Sequence, residues 1–291
     1  MKLRIPASSA NLGPGFDCLG IAWQCYNEIE FIPRGDGLVI TGCDEKYCNR
    51  DNLAYVAYRA AMNWAGHQPS GLEIRFGKTD IPVSRGMGSS AALIVGGVVA
   101  ANAINGLELS GGELLTIATS IEGHPDNIAP SLFGGFRVSA MDGVAAVTTN
   151  FPLSENLFFT LLIPDFELST ELARSVLPSL VSRQDAIFNI SRTALLIKAL
   201  GKGDRELMRI AFEDKLHQPY RTGLIKGYDA AQEAAGKLGA LGLCISGAGS
   251  TLLCISDRED FSAQMEEELR EPLPGWKVMG VKPDLQGVKM I

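Results

Sequence analysis

The segment Ile81-Pro-Val-Ser-Arg-Gly-Met-Gly-Ser-Ser-Ala-Ala92 leads from a turn-rich stretch into an apolar run, with no charged residue between Gly86 and Leu107. That length raises the question of a membrane span. The glycines at 86, 88, 96, 97 and 106, two serines, two asparagines and the lack of aromatic flanks argue instead for a buried helix opening on a Gly/Ser loop. In such a loop Gly86 and Gly88 let backbone N–H groups approach an anion, Ser89 and Ser90 add hydroxyls, and the helix N-terminus presents its positive dipole end. The set fits a triphosphate, with one serine hydroxyl turned to a magnesium ion. It is not a Walker A loop, because Gly77-Lys78-Thr79 is preceded by Leu72 where glycine is required. Nor is it a dinucleotide fingerprint, because Ala91 takes the third glycine position.

Around this segment the chain reads as mixed α/β. Strands are expected at 2–5, 26–32, 37–41, 72–76, 134–140, 144–149, 157–163, 241–246, 251–255 and 276–281. Helices are expected at 52–65, 89–104, 111–122, 169–177, 184–200, 204–215, 223–237 and 258–270. Ser110-Gly-Gly-Glu113 is a capping box for the third helix, Asp51 or Asn52 caps the first, and Gly66 closes it. The length of 291 residues favours two domains, with the seam in Thr149–Glu155: 1–153 and 154–291.

The net charge of −7 speaks against nucleic acid or an anionic membrane as a partner, so an anionic nucleotide must be held by local devices. Six cysteines without CxxC spacing and a start, Met1-Lys2-Leu3-Arg4, unlike a signal peptide indicate reduced thiols in the cytoplasm. The histidines at 67, 124 and 217 form no zinc pattern.

Two further glycine-rich segments flank the first. Pro6-Ala-Ser-Ser-Ala-Asn-Leu-Gly-Pro-Gly-Phe-Asp17 follows a strand and reads either as a loop of converging polar groups or as a Gly-Pro turn capped by Asp17. Cys244-Ile-Ser-Gly-Ala-Gly-Ser-Thr-Leu-Leu-Cys254, alone, reads as a hairpin turn. In order and spacing the three together resemble the signature motifs of the GHMP kinases, over the whole chain. Met87 stands where that family usually has Leu, a volume-conserving change, and Ser250 where it usually has Pro.

The resemblance implies an α+β fold of two domains. The N-terminal one would carry a left-handed β-α-β crossover, the C-terminal one would be ferredoxin-like, and the active site would lie between them. It implies ATP and Mg²⁺ as requirements, with Pro82, Val83, Ser84, Arg85, Gly86, Met87, Gly88, Ser89, Ser90, Ala91 and Ala92 as the nucleotide loop. Glu122, at a helix end where the macrodipole disfavours a carboxylate, reads as solvated or as a cation ligand. The resemblance favours the second, pairing Glu122 with Ser90 on the metal. The segments Glu122-Gly-His-Pro-Asp-Asn127 and Asp214-Lys-Leu-His-Gln-Pro-Tyr-Arg221 are similar to the branch of the family that acts on the amino acid L-homoserine. In that branch Asn11 and Asp17 would contact the small-molecule substrate, Asp17 at its ammonium. Arg174 and Arg221 would face its carboxylate, with Gly247 and Gly249 beside them. Asn127 would position the attacking hydroxyl, with His124 near it and Asp126 as a candidate base. Either arginine alone would otherwise read as a surface ion pair. A homodimer is compatible with the family. The rival within it is a kinase of mevalonate, a diphosphocytidyl sugar alcohol or shikimate.

Overall fold

The computed structural model describes residues 1–68 and 71–291. Its first part begins with β1 (Lys2–Ala10) and β2 (Leu19–Arg34), antiparallel from Lys2↔Glu30 to Ala10↔Gly20 with a register shift between Pro6 and Ala7. Next come β3 (Leu38–Thr41), α1 (Leu53–Trp64) and β4 (Gly71–Thr79); β3 and β4 pair in parallel, so the chain crosses over through α1. Then follow α2 (Ser89–Asn105), α3 (Gly111–Glu122), the short α4 (Ile128–Phe133) and the hairpin β5 (Phe136–Asp142) and β6 (Ala145–Phe151), which joins the sheet through β2.

The second part comprises β7 (Phe158–Ile163), α5 (Thr170–Ser175), α6 (Arg183–Lys202), α7 (Arg205–Ala211), α8 (Gln218–Arg221), α9 (Tyr228–Lys237), β8 (Gly242–Ile245), β9 (Leu252–Ser256), α10 (Phe261–Leu269) and β10 (Lys277–Val281). Its strands lie in the order β10-β7-β9-β8, all antiparallel, which is the β-α-β-β-α-β arrangement of ferredoxin-like domains. The chain then returns: β11 (Lys289–Met290) pairs with β1 at Leu3↔Met290 and Arg4↔Lys289.

The apolar run tested above for a membrane span is α2, whose residues from Ala91 to Ala101 are largely buried. Gly97 explains how it fits so tightly: a Cβ there would lie 2.2 Å from the Ala54 carbonyl of α1. Among the described residues no helix is long and apolar enough to cross a membrane. One core cluster runs under both sheets, with Trp23 of β2 against Phe159 of β7 at 5.1 Å between ring centres.

Several expectations are corrected. Pro6–Ala10 is not loop but the end of β1, because Pro6 pairs with Tyr26 and Ala7 to Ala10 pair with Trp23 to Gly20, a stretch before the strand expected at 26–32. The helix expected at 223–237 starts at Tyr228, since Gly227 takes φ 96° in front of it. That expected at 204–215 stops at Ala211, and Asp214 instead caps the next turn by accepting from the N–H groups of His217 and Gln218.

Candidate active site

The three glycine-rich segments meet. Gly247 N–H donates to the Ala10 carbonyl at 3.0 Å, Thr251 N–H to Arg85 O at 3.1 Å, and Ser8 N–H to Met87 O at 3.1 Å. Ser246 Oγ lies 2.6 Å from Ser9 Oγ and 2.5 Å from the Gly86 carbonyl. The carbonyl can only accept, so it takes the Ser246 proton and Ser9 donates to Ser246, while Trp23 Nε1 donates to Ser9 at 2.8 Å. These buried bonds fix the loops to one another.

Asn11, Leu12, Asp17 and Ser84 hold positive φ without being glycine. Such positions cost about 1–3 kcal/mol each and persist only when their surroundings determine them. Asn11 shows how: its Nδ2 donates to Gly247 O at 2.7 Å and its Oδ1 accepts from Asp17 N–H at 2.9 Å. Its polar atoms therefore hold the first loop against the third as well as lining the cavity.

That cavity, about 700 Å³, is lined along one side by Pro82 to Gly86, Gly88, Ser89 and Ser90. Met87, Ala91 and Ala92 do not line it; all three are fully buried in the core and anchor the loop from beneath. Arg85 lines the cavity, yet its guanidinium is spent on the carbonyls of Val83, Pro164 and Asp165. Gly88, in the left-handed region at φ 68°, is the N-cap of α2, and a Cβ there would lie 2.1 Å from Ser8 Oγ. The cradle at the helix N-terminus is thus open because position 88 is glycine.

Glu122, the last residue of α3, accepts from Ser90 Oγ at 2.6 Å, which singles out Ser90 from Ser89 as its partner. Burial raises the pKa of Glu122, opposed by the Ser90 hydrogen bond. A largely buried carboxylate at a negative helix end, with one hydroxyl on it, fits a cation ligand.

Beyond it, Asp126 is 1% exposed and accepts from Asn127 N–H at 2.8 Å, with His124 Nδ1 hydrogen-bonded to the same oxygen. Burial pulls the His124 pKa down, but the bond to Asp126 and the charges of Asp126, Glu122 and Asp17 leave it raised. Asn127 Oδ1 accepts from Ser8 Oγ at 2.9 Å, and its Nδ2 has no acceptor among the described residues. Asp17, His124 and Asp126 also lie within 4.8 Å of one another as potential metal ligands. A guanidinium already supplies the positive charge there: Arg174 Nη2 and Nη1 reach the two carboxylate oxygens of Asp17 at 2.6 and 3.2 Å.

Asp17 and Arg174 therefore face each other, where the expectation had each facing substrate. Arg221 is 1% exposed and lines the same end of the cavity. Gly247 is on the wall; Gly249 is not, and packs toward Ile225, Leu168 and Ile245. The wall also includes Cys43, Tyr47, Asn52, Leu53, Phe76 and Leu93, none of which sequence reading had marked as part of a site. The residues 42–52 form no long element and carry no glycine motif, so only their tertiary placement reveals them.

The family model of the GHMP kinases N terminal domain matches residues 52–135, and that of GHMP kinases C terminal matches residues 196–275. The chain belongs to the GHMP kinase family. Within that family it is similar over its full length to homoserine kinases. It is 45% identical to the homoserine kinase of Clostridium botulinum over 99% of this chain and 97% of that one. To that of Clostridium beijerinckii it is 44% identical over 100% and 98%. The crystal structure of homoserine kinase from Cytophaga hutchinsonii matches with a TM-score of 0.89 at 29% identity, covering 100% of this chain and 97% of that chain. The mevalonate kinase of Methanococcus jannaschii, at 13% identity and a TM-score of 0.70, shares the fold.

Proposed function

We propose that this cavity binds ATP and L-homoserine side by side and transfers the γ-phosphoryl group to the side-chain hydroxyl, giving ADP and O-phospho-L-homoserine. The observation that carries this reading is one continuous cavity joining the glycine loop of α2 to a wall that bears Asp17, Arg174 and Arg221. A free amino acid brings an ammonium and a carboxylate, and that wall offers a partner for each. The Asp17–Arg174 ion pair keeps both charges compensated until a zwitterion inserts, Asp17 turning to the ammonium and Arg174, with Arg221, to the carboxylate. Mevalonate and shikimate have no ammonium and would leave Asp17 without that partner, which is why the relatives' substrate is preferred for this chain.

The triphosphate would lie on the N–H groups of Gly86 to Ser90, and the nucleoside would extend toward Leu53, Phe76 and Leu93. Ser90 and Glu122 would hold Mg²⁺, whose charge neutralises phosphate oxygens. Asn127 Nδ2, with Oδ1 fixed by Ser8, would orient the homoserine hydroxyl. As its oxygen bonds to the γ-phosphorus, the bond to the bridging oxygen of ADP breaks, and Asp126 beside His124 would take the hydroxyl proton. The transition state is loose, so alignment matters more than a strong base. We place the seam of the two domains after residue 153, the enzyme in the cytoplasm as a step of threonine biosynthesis, and leave a homodimer as its proposed assembly.

The test is kinetic. Turnover of homoserine is compared with that of the amino alcohol lacking its carboxylate and the hydroxy acid lacking its amino group. Charge-assisted hydrogen bonds of about 1.5–3 kcal/mol predict a loss of roughly ten- to a hundredfold in kcat/KM for each truncation. Equal turnover of either truncated compound, or faster turnover of mevalonate, would overturn the assignment.

A further inference from the structure

His217 is fully buried, sits one turn before Arg221 and has no place in the chemistry above. Its Nε2 lies 2.7 Å from the Gly13 carbonyl, and its Nδ1 lies 3.3 Å from Arg221 Nη1. A carbonyl only accepts and a guanidinium only donates. Both contacts are satisfied together by one protonation state, the neutral imidazole with its proton on Nε2 and a lone pair on Nδ1. The other neutral tautomer would set a lone pair against the carbonyl and an N–H against a guanidinium N–H. The imidazolium would set two cations together.

Arg221 shows what this state does. Its Nε donates to Ala173 O at 2.9 Å, and its Nη1 is shared between His217 Nδ1 and Gly247 O, both at 3.3 Å. Neither N–H of Nη2 has an acceptor among the described residues, although Arg221 lines the cavity. Phe16 completes the seat: its ring stacks on His217 at 5.1 Å and lies 5.2 Å below the Arg221 guanidinium carbon.

We propose that His217 is the positioning residue of Arg221, a neutral acceptor that turns the guanidinium so that Nη2 meets the substrate carboxylate. This rests on the assignment of Arg221 to that carboxylate. The charged and titratable groups around the ring are Asp214, with Oδ2 3.6 Å from Nε2, Arg221 itself and Asp17. Burial, with Arg221, outweighs the two carboxylates and lowers the His217 pKa from 6.5, in keeping with the neutral form. Acidification therefore protonates His217, and the new cation expels the guanidinium from its seat.

Two substitutions separate the two contacts. Asparagine puts an acceptor oxygen where Nδ1 lies and gives up the tether to Gly13; glutamine puts an amide where Nε2 lies and gives up the acceptor for Arg221. His217→Gln should raise KM for homoserine by about tenfold or more, as expected for a lost hydrogen bond to a charged group, with kcat and KM for ATP within about twofold. His217→Asn should retain most of the wild-type KM. In the wild type, KM for homoserine should also rise as pH falls below 6.5, a step missing from His217→Asn, while titration of His124 is common to both. Equal losses in the two variants, or losses in kcat or ATP affinity, would make His217 a packing residue and overturn the inference. Arg221→Ala is run with homoserine and with the amino alcohol lacking the carboxylate. If it harms both equally, the carboxylate assignment fails instead, which is distinguishable from a selective Arg221 effect that His217→Gln does not reproduce.

Discussion

Gly88→Val is expected to abolish ATP binding. The residue holds φ 68°, a conformation that side chains with a Cβ rarely adopt and a β-branched one adopts least. The added Cβ would stand 2.1 Å from Ser8 Oγ and 3.2 Å from Asn127 Oδ1, so the clash falls on the hydrogen bond that orients Asn127. Relief requires moving the start of α2, which takes the N–H groups of the cradle away from the phosphates they would hold. Calorimetric titration of the folded variant with ATP checks it. Gly112→Ala, on α3 with nothing within 4 Å of the added Cβ, is the control and should bind normally. Unchanged affinity in Gly88→Val would remove the triphosphate from this loop.

Glu122→Gln should separate activity from stability. The shape is kept and Ser90 retains an acceptor, but the charge offered to a divalent cation is gone. By analogy with the loss of one preorganised electrostatic contact, kcat should fall about 10²–10³-fold, and the Mg²⁺ needed for half-maximal rate should rise. Stability should move the other way. Burial raises the Glu122 pKa, so the folded state disfavours its ionised form, and above the ordinary carboxylate range that form works against folding. At neutral pH without Mg²⁺ the variant should melt at or above the wild-type temperature. A variant that keeps near wild-type turnover at limiting Mg²⁺ would show that Glu122 is not a metal ligand.

What the sequence disclosed and what it hid follow from the range of the interactions involved. The capping box at Ser110 and Glu113 is satisfied within one turn, and α3 spans the 111–122 expected of it. Of the two residues considered for the cap of α1, Asn52 takes the role, accepting from Ala54 N–H at 3.0 Å. The Gly/Ser loop before α2 and the carboxylate of Glu122 at a helix end were marked by local residue types, whereas the pairing of Glu122 with Ser90 followed from the resemblance to the GHMP kinases, and the two side chains lie 2.6 Å apart. The strand segment from Leu19, the helix Ile128–Phe133 around Pro130 and the return of Lys289–Met290 to β1 were not readable, because partners far along the chain impose them. For Asp17, Arg174 and Arg221 the resemblance to the GHMP kinases pointed to a site, while residue type alone gave a turn cap and surface ion pairs. Only coordinates could show that Asp17 and Arg174 compensate each other, that Asn11 doubles as a brace between loops, and that His217 lies against Arg221.

The central claim is that phosphate moves from ATP to the hydroxyl of homoserine in this cavity. Purified enzyme, ATP, Mg²⁺ and a mixture of homoserine, mevalonate and shikimate, followed by phosphorus NMR and mass spectrometry of the products, tests it directly. The account predicts that the γ-phosphate signal is replaced by one phosphomonoester, carried by homoserine, with ADP formed in equal amount. Inorganic phosphate in its place, or phosphate carried by mevalonate or shikimate while homoserine is left unmodified, would contradict it.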